Sequence, residues 1–234
     1  MPKFIRRLFF PPRCPVCDRA LDPRFPPVCS SCEKRIEYVV EPRCRICGAP
    51  IREEEEEMCI SCSNTSHVFE QGRAAFIYKD PIRGSMYRFK YSNRQQYASF
   101  YAKCFTKANG KWIDHIRPDI IAPIPLHKKR LRVRGYNQAA LFARELGKET
   151  GICVCEDLLI RVKKTIPQKQ LSLAQRKNNL KKAFKSTGYE VQSKNILLTD
   201  DIYTTGSTMD EAASVLLRDG AAAVFAACIC IGEN

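Results

Sequence analysis

Two groups of residues in this sequence have the types and spacing to do chemistry. The first lies in NILLTDDIYTTGSTMDEA, residues 195–212. Two adjacent acids, Asp200 and Asp201, close an apolar run, and carboxylates so placed accept hydrogen bonds from a diol such as the 2′- and 3′-hydroxyls of ribose. The chain then turns through Thr204, Thr205, Gly206, Ser207 and Thr208 toward a helix. Backbone N–H groups at that helix start, with four hydroxyls beside them, make an anion cradle suited to a phosphate. Gly206 lets the backbone approach an anion with no Cβ in the way. An aspartate turn followed by an ordinary helix cap would need neither both acids nor the whole hydroxyl run. Acids for a diol beside a cradle for an anion describe a sugar phosphate.

The second group is a ladder of cysteines. Eight of the thirteen form four C-x-x-C pairs, Cys14/Cys17, Cys29/Cys32, Cys44/Cys47 and Cys59/Cys62, whose first members are each fifteen positions apart. One such turn puts two thiolates on one side of a metal, and a second pair completes a tetrahedron, so four pairs supply two closed Zn(Cys)₄ sites. A redox-active C-x-x-C needs one pair beside a βαβ pattern, whereas these sit among prolines and charges. An all-cysteine site leaves no open coordination position, so this zinc is structural. Spacing leaves open whether the pairs combine sequentially or cross-braced. Eight thiolates with two Zn²⁺ lower the formal charge from +14 to about +10. Metal binding is expected to supply most of the folding free energy of a segment so poor in apolar core. The acidic run Glu53–Glu57 reads as a solvated loop tip.

The elements that must position these groups follow from periodicity. Residues 63–72 read as a linker, Arg73–Asp80 as a strand, and a helix follows with Pro81 in its first turn. A longer helix is expected over Arg94–Ala108, its stripe being Tyr97, Phe100, Tyr101, Cys104 and Phe105. Asp119–Pro125 reads as a short buried strand. YNQAALFARELGKETG gives a helix ended by Gly147 or Gly151, and LSLAQRKNNLKKAF a further helical segment. Asn195–Asp201 is a strand, a helix runs from about Ser207 to Asp219, and Ala221–Cys230 is a closing strand. Strands alternating with amphipathic helices indicate βαβ units and a mainly parallel α/β sheet. Ligands bind beyond the carboxyl ends of such strands, and that edge is where the two acids arrive. Cys153/Cys155 and Cys228/Cys230 read as small core hydrophobes, Trp112 as packing and His115 as loop.

A chain of 234 residues holds one sizeable core plus an appendage. The cysteine asymmetry places the appendage at 1–66 and the α/β domain at 67–234. Apolar runs are too short for a membrane span or a secretory signal, so a cytoplasmic protein without membrane insertion is expected, its thiols reduced.

ILLTDDIYTTGST resembles the phosphoribosyltransferase signature, and the chain more narrowly resembles ComF-type proteins. The narrower resemblance rests on the four C-x-x-C pairs, APIPLHKKRLRVRGYNQA and RVKKTIPQKQLSLAQRKNNLKKAF. It implies a type I phosphoribosyltransferase-like fold behind a double zinc ribbon, and a role in natural competence and DNA uptake beside a helicase-type partner. Asp200 and Asp201 would then hold the ribose hydroxyls of phosphoribosyl pyrophosphate, and Thr204, Thr205, Gly206, Ser207 and Thr208 its 5′-phosphate. The PLHKKR stretch would be the pyrophosphate loop, with Lys128, Lys129, Arg130 and Arg134 as candidate cations. Mg²⁺ would bridge pyrophosphate and ribose, and a lid would come from Arg161–Gln175. A hood for an acceptor base has no obvious source unless the zinc module or residues 81–110 provide it.

From Arg161 to Lys185 there are nine Lys/Arg and no acid, and HKKRLRVR adds five more. That surplus fits a phosphate backbone, single-stranded DNA, as well as it fits a solvated basic surface. Tyr87, Phe89 and Tyr91 alternate with Arg88 and Lys90 as base-stacking candidates or as a half-core stripe. Three functions stay open: an active transferase, a ligand-sensing nucleic-acid-binding competence protein, and a zinc-ribbon adaptor.

Overall fold

In NILLTDDIY, Ile196 and Leu198 are buried on one side and Leu197 on the other. A strand apolar on both faces belongs inside a parallel sheet covered on both sides. The structure, a computed structural model, describes residues 11–22, 24, 27–53, 56–162, 183–188 and 190–232. Its strands are Gly72–Ile77 (β1), Ile120–Pro123 (β2), Cys153–Val154 (β3), Leu159–Arg161 (β4), Phe184–Ser186 (β5), Asn195–Tyr203 (β6) and Ala223–Ile231 (β7). Five of them form a parallel sheet in the order β1-β7-β6-β2-β3, and β4 pairs antiparallel with β5.

The helices are Ser30–Glu33 (α1), Ile60–Ser63 (α2), Ile82–Tyr91 (α3), Tyr97–Ile116 (α4), Lys128–Arg134 (α5), Gln138–Thr150 (α6) and Ser207–Arg218 (α7). Asn137 caps α6 by accepting from the Ala139 amide, and Gly151 ends it at φ 76°, a left-handed conformation that a Cβ disfavours. α4 starts later than Arg94 and runs past Ala108, because its buried stripe continues through Asn109, Ile113 and Ile116. Trp112 and His115 are therefore helical. Trp112 packs as expected, donating to Gln71 at 2.9 Å.

Two cores flank the sheet. α7, the β4–β5 pair and Cys44–Cys62 enclose one, while α3, α4, α6 and Cys14–Cys32 enclose the other. Each half of the cysteine segment thus packs on its own face of the sheet. The halves repeat with an offset of thirty residues. Cys14 N and Cys44 N donate to Arg19 O and Ala49 O, and Asp18 N and Gly48 N to Cys14 O and Cys44 O. Both Asp18 and Gly48 have positive φ.

Some expectations are corrected. Residues 63–72 are not a free linker, since the His67 side chain is 1% exposed and Phe69 is 2% exposed. Cys153 is exposed and Cys155 half-buried, because β3 is a two-residue edge strand that cannot enclose them. Cys228 and Cys230 are buried as expected. Glu57 of the acidic run meets Arg45 at 2.9 Å. Most of the expected helical segment LSLAQRKNNLKKAF, of the lid Arg161–Gln175 and of the basic run to Lys185 falls within residues 163–182, outside the described residues, while Phe184 at the end of that segment opens strand β5. Among the described residues no helix is long and apolar enough to cross a membrane.

Candidate functional site

From β2 the chain moves outward to β3, and from β6 it moves the opposite way to β7. β2 and β6 are neighbours, so the crevice beyond their carboxyl ends is the switch point at which such sheets take ligands. The loop into α5 and the turn into α7 border it. A small hollow opens beside it, between β6, β7 and the first turn of α7, lined by Asp200, Thr204, Gly206, Ser207 and Thr208, with Cys228 behind. Gly206 has φ 72° and caps α7. Thr205 is turned to Ser207, with 3.0 Å between their hydroxyl oxygens.

β6 continues through Tyr203, so both acids lie within the strand and alternate across it. Asp200 lines the hollow. Asp201 faces α3, where the Lys90 ammonium sits 2.8 Å from Oδ2 and the two side chains are 16% and 17% exposed. The two acids therefore do not present themselves equally to a ligand, as sequence adjacency had suggested. Burial, then the neighbouring Asp201 charge, push Asp200 up to about 7, against the pull of the Asp201 amide, Lys90 and Arg161. Burial works against the charge on Lys90, but Asp201 outweighs it and holds this lysine above its ordinary value.

The candidate cations separate. Burial, then the charge of Arg130, lower Arg161 to about 10, with Asp200 opposing. Arg130 and Arg161 thus press their charges on one another, with Asp200 opposing. Arg134 turns elsewhere: it donates to Gln138 at 2.9 Å and to the Tyr91 hydroxyl at 3.1 Å, and lies 5.1 Å from the Tyr91 ring centroid. Lys128 and Lys129 are exposed on α5.

Sequence reasoning missed Lys90 and His67 as site residues and named Arg161 only as the start of the lid. Lys90 was within reach: it lies four residues after Met86, on the inner side of α3 with Ile82, Ser85 and Phe89. His67 was not, since nothing in SNTSHVFEQG marks which distant element it meets. Its Nδ1 is 3.0 Å from Asp210 Oδ2 in the first turn of α7.

The cysteines combine sequentially. Cys14, Cys17, Cys29 and Cys32 form one group and Cys44, Cys47, Cys59 and Cys62 the other, with all sulfurs of a group within 4.8 Å of one another. The Cys17–Cys29 and Cys47–Cys59 sulfurs are 3.8 Å and 3.6 Å apart. A tetrahedron with Zn–S of about 2.3 Å has an edge of about 3.8 Å, so both groups fit zinc.

The family model described as a double zinc ribbon domain matches residues 5–63. The chain is similar to the DNA utilization protein YhgH of Escherichia coli (strain K12), 34% identical over 160 residues that cover 65% of this chain and 68% of that protein. It is also similar to the competence protein ComFC of Bacillus subtilis (strain 168), 31% identical over 162 residues, 68% of this chain and 62% of that one. Among solved structures, the glutamine phosphoribosylpyrophosphate (PRPP) amidotransferase from B. subtilis aligns at 16% identity and a TM-score of 0.41, too low to carry an argument. That alignment covers 60% of this chain and 30% of the other.

Proposed function

Because the chain belongs to the ComF family, whose members include competence and DNA utilization proteins, we propose that it binds phosphoribosyl pyrophosphate with Mg²⁺ in the β2–β6 crevice and contacts single-stranded DNA during DNA uptake. The observation that carries this reading is that Asp200 and Thr204, Gly206, Ser207 and Thr208 of the following turn line one hollow, beside the switch point of a parallel sheet.

In this reading Asp200 accepts hydrogen bonds from the ribose diol. Asp201, held by Lys90, supplies charge behind it. The turn receives the 5′-phosphate with its amides and hydroxyls. Arg130 and Arg161 face the pyrophosphate, whose charge grows as a glycosidic bond breaks. The lining oxygens of Asp200, Thr204, Ser207 and Thr208 are hard donors of the kind Mg²⁺ and its waters accept. Mg²⁺ held with the ligand would offset the charge of its pyrophosphate. Zinc in the two ribbon sites is structural. The boundary between 1–66 and 67–234, a cytoplasmic location and a helicase-type partner belong to the same reading.

For the strand of DNA, Tyr87 and Tyr91 are 63% and 55% exposed, with ring centroids 5.1 Å apart. Arg134 lies over Tyr91, and no residue of α5, KKRLRVR, is buried. Stacking rings beside cations suit single-stranded nucleic acid, while Phe89 between them is core. The same surface favours a second reading, turnover on a base acceptor, since Tyr91 adjoins the lysine that faces the acids. Release of pyrophosphate across a panel of bases and oligonucleotides separates turnover from binding alone.

Thermal denaturation with and without ligand tests the proposal. Phosphoribosyl pyrophosphate with Mg²⁺ is expected to raise Tm in proportion to its excess over Kd, and more than ribose 5-phosphate does. An unchanged Tm at millimolar ligand, on the order of ten times a typical cofactor Kd, would refute it.

A further inference from the structure

We propose that His67, in the segment joining the second four-cysteine site to β1, is a positioning residue that keeps the turn 204–208 receptive to an anion by engaging Asp210. The inference rests on the reading of that turn as a phosphate site and names a residue that the motif itself does not contain.

Asp210 stands in the first turn of α7. An acid there suits an isolated helix, but it opposes an incoming phosphate. Both its oxygens are occupied from the joining segment: the Val68 amide donates to Oδ1 at 2.8 Å, and His67 Nδ1 lies 3.0 Å from Oδ2. With the proton on Nδ1, the other ring nitrogen accepts from the Tyr203 hydroxyl at 3.4 Å. The imidazole is 1% exposed and tilts against Phe69, with 4.9 Å between ring centroids.

The same ring supports the turn sterically. A Cβ on Gly206 would lie 2.6 Å from His67 Cε1 and 2.6 Å from the Tyr203 hydroxyl oxygen. Gly206 rests on those two groups, and its left-handed backbone directs the chain into α7. His67 thus both draws the negative charge of Asp210 away from the cradle and forms the floor under its glycine. Only four residues separate His67 from Cys62, so the folded second ribbon carries the histidine to its place.

The test compares wild type, H67F and H67F/D210N, each confirmed to retain both metals, by calorimetry with ribose 5-phosphate. Amide exchange of residues 204–208 is followed in the ligand-free proteins. H67F keeps an aromatic ring in place but leaves Asp210 charged and without the donor to its Oδ2. Its affinity is expected to fall about tenfold, the worth of one charge-assisted hydrogen bond, and exchange in the turn to quicken. Neutralising the acid in H67F/D210N is expected to recover affinity, which a merely structural role would not do. Wild-type affinity in H67F, or no recovery in the double variant, overturns the inference alone. Failure of the wild type to bind ribose 5-phosphate overturns the phosphate reading along with it. Should H67F not fold, H67N, whose amide donates in place of Nδ1, is expected to bind as wild type does, and a tenfold loss there contradicts the inference.

Discussion

At the residue scale, two neighbouring aspartates have been given different work by one strand. Asp200 faces the hollow and Asp201 the lysine, because successive side chains of a strand point to opposite faces. The consequence is a pH dependence. Burial pushes Asp200 up to about 7, and its ionised carboxylate accepts from a diol more strongly than the neutral acid does, so affinity for phosphoribosyl pyrophosphate is expected to rise between about pH 6 and about pH 8. Asp200→Asn should flatten the part of that profile that the ligand's own ionisation does not explain. Lys90→Met removes a cation that favours both carboxylates, so the rise should move to higher pH; a profile unmoved from wild type would show that Lys90 does not govern the pair. The motif itself was legible in the sequence, as apolar residues, two acids and a hydroxyl-rich glycine turn. The division of labour was not, because it depends on which helix comes to lie over each face.

At the scale of elements, the strands and most helices follow from local pattern, and the differences have local causes. β6 extends two residues past Asp201 because Tyr203 still pairs with Ile231 of β7. α4 begins only at Tyr97 because the residues before it serve the first ribbon. There Arg94 grips Asp18 with two bonds of 2.8 Å and 2.6 Å, and Tyr97 donates to the same carboxylate at 2.5 Å. Arg94→Ala is expected to lower stability by about 1–2 kcal/mol, since the pair is part-exposed but bidentate, read as a shift in the urea midpoint. No shift would mean the contact does not hold the ribbon to α4. At the other ribbon, Gly206→Ala forces a side chain into His67 and Tyr203 at a backbone angle that disfavours one. It should cost about 1–3 kcal/mol and abolish binding of ribose 5-phosphate; unchanged binding would argue that the turn is not the anion site.

At the scale of the molecule, four equally spaced cysteine pairs announced two metal sites, and the sites fit zinc. What spacing could not convey is that the ribbons lie on opposite faces of the sheet and each supports one wall of the crevice. The first backs α3, which carries Lys90, Tyr87 and Tyr91; the second backs the turn into α7 through His67. A chelator should therefore unfold the sheet together with the ribbons in one transition by circular dichroism, whereas a domain that keeps its Tm without zinc would show the ribbons to be accessory. The basic surplus is concentrated in two segments, His127–Arg134 and Arg161–Lys185. Binding to single-stranded DNA should weaken with salt at about 0.7 powers of concentration per phosphate engaged, and Tyr91→Ala should cost about 1–3 kcal/mol if a base stacks there. The central claim, an acidic strand end and a glycine turn shaped for a ribosyl phosphate, is tested most directly by titrating phosphoribosyl pyrophosphate with Mg²⁺ into wild type and into the Asp200→Asn/Asp201→Asn variant in a calorimeter. Saturable heat at one ligand per chain in the wild type, lost in the variant, is the result expected. Heat absent from both, or equal in both, would contradict it.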